Sequence, residues 1–186
     1  MAVLTYGELP FGLRNAAIYK MTTDGTGATP PVYASKVDVP RIQNLELQEE
    51  EDSAQLDAAD VTVATHTFGL RLTGSISAGG INLDTLAVLT GGTVSTTGMT
   101  PSRVTTFARR GTDSKPYFKV TGQSYGDDAG DLYMTAYKVK AVSGPTYAFN
   151  QGEFAVTQCD LQGVFTGETT SKLYDLVAHE TVTAIS

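Results

Sequence analysis

LELQEEEDSAQLDAADVTVATHTFGLRLTGSIS, residues 45–77, is the stretch on which the reading of this chain turns. At its start Leu45 and Leu47 alternate with Asn44, Glu46 and Gln48, the pattern of a strand with one buried and one wet face. At its end Phe68, Leu70, Leu72 and Ile76 share one parity, while Thr67, Arg71, Thr73 and Ser75 share the other. Between the two strands lie Glu46, Glu49, Glu50, Glu51, Asp52, Asp57 and Asp60, seven of the chain's 20 acids, with no Lys or Arg among residues 45–61. This predicts a hairpin arm, acidic over about residues 46–60. Its tip, at about 50–60, is a loop of roughly ten residues, far longer than a tight turn.

Working outward, the rest of the chain is also β-rich, with 19 Gly, abundant Thr and frequent turn signals. A first strand fits residues 12–21. The Asp-Gly and Pro-Pro of TTDGTGATPP end it, and a second strand fits 32–39, stopped by Pro40. Further strands are expected at 103–108, 117–125, 131–142, 153–165 and 172–183, with YGDDAGDLY as a hairpin turn and 173–178 open to a helical turn instead. One helix stands out at about 82–90. Asn82 is its N-cap, Asp84 sits in the first turn, Leu83, Leu86 and Leu89 form a stripe, and Gly91–Gly92 end it. Two turns of helix do not stand alone and need a sheet to pack on. The expected fold is therefore mainly β: an antiparallel β-sandwich or barrel with one short flanking helix and a long hairpin arm, all in one domain over residues 1–186.

The composition sets limits on function. A formal net charge of −7 argues against a general nucleic-acid binder, which would be basic. With 41% apolar and 18% charged residues the chain is expected to fold rather than stay disordered. The start, MAVLTYGELPFG, lacks a signal-peptide pattern, and no apolar run reaches the roughly 18 residues of a membrane span. The expectation is a chain made in a cytoplasm, with no membrane insertion. The single cysteine, Cys159, lies in an apolar-alternating run and reads as a small core residue.

Chemistry-bearing patterns are few. His66 and His179 are the only histidines and have no H-x-x-x-H spacing, so they give no metal signature and read as strand-surface or core-edge residues. GSISAG fails the G-x-S-x-G pattern, and GTG at 25–27 lacks the third glycine of a dinucleotide loop. Asp127, Asp128 and Asp131 lack calcium-loop spacing and read better as a solvated turn. Acids from distant strands can meet in space as a glycoside-hydrolysing pair, but no residue is assigned a catalytic, metal-binding or cofactor role. A ligand- or carbohydrate-binding β-sandwich, for example a decoration or adhesion module with a platform built from Tyr133 and Tyr137, is the alternative to a structural role. The absence of Trp weakens it.

The order of elements carries a resemblance. A strand, a long acidic arm, the alternating strand FGLRLTGSIS, the helix INLDTLAVLTGG and the hairpin PYFKVTGQSYGDDAGDLYMTAYKVKA follow one another. Over about residues 10–180 this resembles the major tail proteins, or tail tube proteins, of long non-contractile-tailed bacteriophages. It rests on element order and local style rather than an invariant signature. The resemblance implies a structural virion protein without enzymatic activity or cofactor. Copies of it form hexameric rings that stack into a tube, with strands joined edge to edge around a lumen through which double-stranded DNA passes without specific binding. It also implies assembly in the host cytoplasm, residence in the phage tail, and tail tip or initiator, tape measure and tail terminator proteins as partners.

Within that picture parity turns Asn44, Glu46, Gln48 and Glu50 toward the lumen if Leu45 and Leu47 face the core. Arg71, Thr73 and Lys119 fall on the same wet faces. An acidic wall would repel a duplex carrying one charge per about 1.7 Å and let it slide. The arm, with Glu51, Asp52, Gln55, Asp57 and Asp60, is expected to reach a neighbouring ring and dock on basic residues there, the candidates being Arg103, Arg109, Arg110 and Lys115.

Overall fold

The computed structural model describes residues 10–58, 61–126, 130–147 and 150–185. The expected mainly β fold with one helix is what it shows. The strands are β1 (Pro10–Thr23), β2 (Val32–Tyr33), β3 (Val37–Asp38), β4 (Ile42–Ala58), β5 (Val61–Gly79), β6 (Thr93–Thr97), β7 (Val104–Ala108), β8 (Tyr117–Gly126), β9 (Asp131–Ala141), β10 (Val156–Gly163) and β11 (Tyr174–His179). The helix α1 (Leu83–Thr90) lies between β5 and β6. One antiparallel sheet runs β2-β1-β8-β9-β10-β5-β4, with β3 on the edge of β1 and β11 on the edge of β9. The pair β6–β7 is a separate two-stranded ribbon.

The large sheet curls without closing into a barrel. Its inner face carries Ile18 of β1, Phe118 and Val120 of β8, Ala136 and Val139 of β9, Cys159 and Leu161 of β10, Leu72 and Ile76 of β5 and Leu45 of β4, all in one core cluster. The curl brings the end strand β4 back over β8. A Cβ on Gly122 would stand 2.6 Å from Leu45 Cδ2, so a larger residue there would have to displace the end of the Leu45 side chain. Helix α1 covers the inner face with Leu86, Val88 and Leu89, all buried. Its caps are those expected: the Asn82 side chain accepts from Thr85 N–H at 3.0 Å, and Gly91 is left-handed, its N–H donating to Ala87 O. Cys159 is buried in the core, and burial pushes its thiol pKa up.

Several expectations need correction. The acidic run is not a ten-residue loop. It is paired strand as far as Ala58, which sits opposite Val61. The expected strand at 32–39 is two short pieces, β2 and β3. Residues 173–178 are not helical, since β11 spans most of them. β6 was not anticipated at all. Asp127 and Asp128 lie outside the described residues, and Asp131 is fully buried rather than part of a solvated turn.

Candidate functional site: a two-faced ribbon and a bare polar wall

Residues directly opposite one another in an antiparallel pair point to the same face of the sheet, so the register of β4 and β5 assigns every side chain on the ribbon. Leu45 pairs with Ile76 on the inner face. Asn44, Glu46, Gln48 and Glu50 pair with Ser77, Ser75, Thr73 and Arg71 on the outer face. The expected parity of Asn44, Glu46, Gln48, Glu50, Arg71 and Thr73 is thus the parity of the structure.

The outer row continues across the sheet. Gln48, Thr73, Gln162, Lys140 and Tyr117 stand in register on β4, β5, β10, β9 and β8. The next two rows are Glu46–Ser75–Asp160 and Asn44–Ser77–Gln158. Gln158, Asp160 and Gln162 are exposed while Thr157, Cys159 and Leu161 between them are buried. The β10 side chains were missed, although the alternation VTQCDLQG marks them. The result is a bare wall of amides and hydroxyls that carries three acids, Glu46, Glu50 and Asp160, against two cations, Arg71 and Lys140, with Glu50 paired to Arg71.

Arg71 is the centre of this balance. Its Nε donates to Glu50 Oε2 and its Nη1 to Asp52 Oδ2, each at 3.0 Å, and Thr73 Oγ1 donates to Glu50 Oε1 at 3.0 Å. Asp52 first and Glu50 second hold the guanidinium pKa above its ordinary value. The fork ties β5 to β4 across the strands and takes two of the acids out of the unneutralised set. Lys119 lies on the outer face too, but it is clamped between the Tyr19 and Tyr33 rings, 4.0 and 5.2 Å from their centroids. Desolvation there lowers its pKa.

The ribbon changes character beyond Arg71. Glu50 pairs with Arg71 but Asp52 pairs with Phe68, so Glu51 alone faces the two residues Leu70 and Gly69. Gly69 has φ +72°, the left-handed geometry of a glycine bulge. One extra residue reverses the alternation of β5. Phe68, expected on the face of Leu70, lies instead on the outer face with Asp52, and Thr67 goes to the inner one. From here the outer face is apolar: Ala54, Leu56, Ala64 and Phe68, with the His66 ring stacked near Phe68 at 6.5 Å. The inner face becomes Ser53, Gln55, Thr65 and Thr67. Among the described residues no layer covers either side, and Phe68 and Leu56 are 51% and 64% exposed. Of the expected arm residues, Glu51, Asp52, Gln55 and Asp57 lie on this ribbon, Asp57 accepting from Thr62 Oγ1 at 2.7 Å. Asp60 lies outside the described residues.

The candidate docking cations divide. Arg103, Arg109 and Arg110 border or belong to the β6–β7 ribbon, are exposed, and form no ion pair among the described residues. Lys115 is engaged within its own chain, donating to Val142 O at 2.7 Å and Ser143 O at 2.8 Å. The ribbon they border packs on α1 and carries Met99 and Val104 exposed near its tip.

Other titratable groups are tied into the fold. Asp131 Oδ1 lies 2.8 Å from His179 Nδ1, and Tyr133 meets the His179 ring edge-on. The Tyr137 hydroxyl donates to Asp175, and the Tyr133 hydroxyl donates to Thr183 O. Among the described residues no cluster of three His, Cys, Asp or Glu is placed to hold a metal, and no helix is long and apolar enough to cross a membrane. No protein-family model and no curated protein sequence matches the chain.

Proposed function

We propose that this protein is a structural subunit that assembles with copies of itself into stacked rings forming a phage tail tube, with no catalytic role. The observation that carries the reading is the distal β4–β5 ribbon. It is a long two-stranded arm with an apolar face, Phe68, Leu56, Ala54 and Ala64, that none of the described residues covers. An isolated two-stranded ribbon is marginal in water and gains its stability from a partner. β4 also ends the sheet with its outer edge unpaired, and its acids guard that edge against promiscuous pairing until the right strand arrives.

The bare wall supports the same reading. In a ring it lines the lumen with Asn44, Glu46, Gln48, Glu50, Arg71 and Thr73, extended by Gln158, Asp160, Gln162 and Lys140. A wall of amides whose three acids outnumber its two cations offers a polyanion no run of cations to bind, so DNA passes without being held. The arm of one subunit then reaches the β6–β7 ribbon of the next ring, where Met99 and Val104 meet its apolar face and Arg103, Arg109 and Arg110 meet its acids. Rings grow from a tip initiator around a tape measure and are capped by a terminator, within the host cytoplasm and then in the virion.

Negative-stain electron microscopy over a concentration series tests this. Hollow rods with a regular axial repeat are the expected result. Globules that stay dispersed even with the tail-tip initiator present would overturn it.

A further inference from the structure

The chain beyond β11 is held in an unusual way. Residues 181–184 are exposed and Val182 is half in solvent, so side chains anchor this segment only weakly. Its backbone is gripped at one residue. Thr183 N–H donates to Asp131 Oδ2 at 2.8 Å, and Thr183 O accepts from Gln123 Nε2 at 2.8 Å and from the Tyr133 hydroxyl. One further bond, Lys36 Nζ to Ile185 O at 3.0 Å, holds the end. Behind the grip, Gln123 Nε2 also donates to Asp131 Oδ2 at 2.6 Å, and both residues are buried.

We propose that residues 181–185 form a releasable strap across β8, and that the Asp131 carboxylate is its lock: with the charge present the strap lies down, and with it neutralised the strap lifts while the sheet stays folded. The chemistry is one of donor and acceptor counting. An ionised carboxylate only accepts, and here it takes N–H groups from Gln123 and Thr183 and faces His179 as well. Once neutral, one oxygen must donate: a proton on Oδ2 is set against the Gln123 and Thr183 donors, and one on Oδ1 is set against His179 whenever that ring nitrogen carries its own proton. The strap is the cheapest of these partners to lose, because its side chains are mostly exposed and Val182 is only half covered. Among the described residues the other charged or titratable groups around the lock and strap are Tyr125, opposite Asp131 on β8, with Arg14 of β1 over its ring at 4.5 Å; Tyr133 of β9; His179 of β11, charged only when protonated; the Lys36–Asp38 pair beside Ile185; and Arg41, which lines the same cleft as the strap.

Burial alone would raise the Asp131 pKa, but hydrogen bonds from Thr183 N–H, Gln123 and His179 overcome it and hold the carboxyl below its ordinary value. The sign follows. The stabilisation is fully present above the ordinary carboxylate pKa and is lost as pH falls through the depressed folded value. The lock is therefore shut at neutral pH and opens only in acid.

The test is hydrogen–deuterium exchange of the Thr183 amide in the full chain, set against the core amide of Val120 on β8. In Asp131→Asn, protection at Thr183 is expected to fall by about ten-fold or more with Val120 unchanged. Equal protection at Thr183 in variant and wild type would overturn the lock. Should the variant fail to fold, the wild type decides by acid titration, with intrinsic exchange corrected. Loss at Thr183 well before Val120 supports the strap, and loss of both at one midpoint overturns it.

Discussion

The two halves of the β4–β5 ribbon are made of the same strands yet obey opposite rules. In the proximal half Leu45, Leu72 and Ile76 are sealed against the core and the polar side chains face out. In the distal half the apolar residues face out and the Ser, Gln and Thr residues lie on what was the inner side. A single glycine bulge on β5, together with a change of composition on β4, makes the exchange. The proximal half is folded by its own subunit. The distal half holds a surface of the kind that another molecule covers.

Substitutions can break this contrast, and the largest effect belongs to the proximal half. Leu72 is 2% exposed, so Leu72→Ala removes a side chain from a closed core and leaves a cavity. A loss of about 2–5 kcal/mol is expected in denaturant unfolding of the dispersed subunit. A loss under ~0.5 kcal/mol would mean that the inner face is not sealed as described. Gly69→Ala comes next. At φ +72° an added Cβ is strained, and it would stand 3.3 Å from Asp52 Oδ2. A cost of about 1–2 kcal/mol is expected, and the same unfolding experiment reads it. A neutral result would show that the bulge can move.

The distal half should respond in assembly rather than in stability. Phe68→Ser exchanges an exposed ring for a polar group, so unfolding should shift by no more than ~0.5 kcal/mol. If the ring is an anchor buried on assembly, its loss costs about 1.4 kcal/mol or more and raises the concentration needed for rods about ten-fold. Sedimentation of a dilution series would show it. Rods forming at the wild-type concentration would sink the apolar docking of the arm.

Much of the proximal half was legible beforehand, because one buried and one wet face leave a period of two. Leu45, Leu72 and Ile76 carry that period, and Asn82 and Gly91 mark the helix ends by cap chemistry. The acidic run hid its strand for a physical reason: Glu49, Glu50, Glu51 and Asp52 put charge on both faces in succession, and the alternation that follows over 53–57 has Leu56 as its one large apolar residue. The Gly69 bulge was hidden by its surroundings. In T-F-G-L-R-L the residues alternate without a break, and the left-handed φ that throws Phe68 to the other side leaves no mark except the glycine itself. Gln158, Asp160 and Gln162 could have been found, since their alternation with Cys159 and Leu161 is plain. Asp131 could not. Its neighbours Asp127, Asp128 and Gly130 spell a wet turn, and its partners Gln123, His179 and Thr183 come from other parts of the chain.

The smallest expected effect tests whether charge assists the apolar contact of the distal half. Arg109 and Arg110 are exposed, and among the described residues neither they nor Glu51 on the ribbon form an ion pair. Replacing both, Arg109→Glu with Arg110→Glu, leaves the core untouched and should shift unfolding by less than ~0.5 kcal/mol. Exposed charge pairs steer and select more than they bind, so the expected change is slower rod growth with a weakened dependence on salt, followed by light scattering. The salt dependence separates the two contributions. If the double variant grows slowly at low salt and approaches wild-type growth at high salt, charge guides a contact that Phe68 and Leu56 hold. If it still gives full-length rods at the wild-type rate at every ionic strength, these arginines are not where the acidic arm docks, and the ribbon's partner surface lies elsewhere on the subunit.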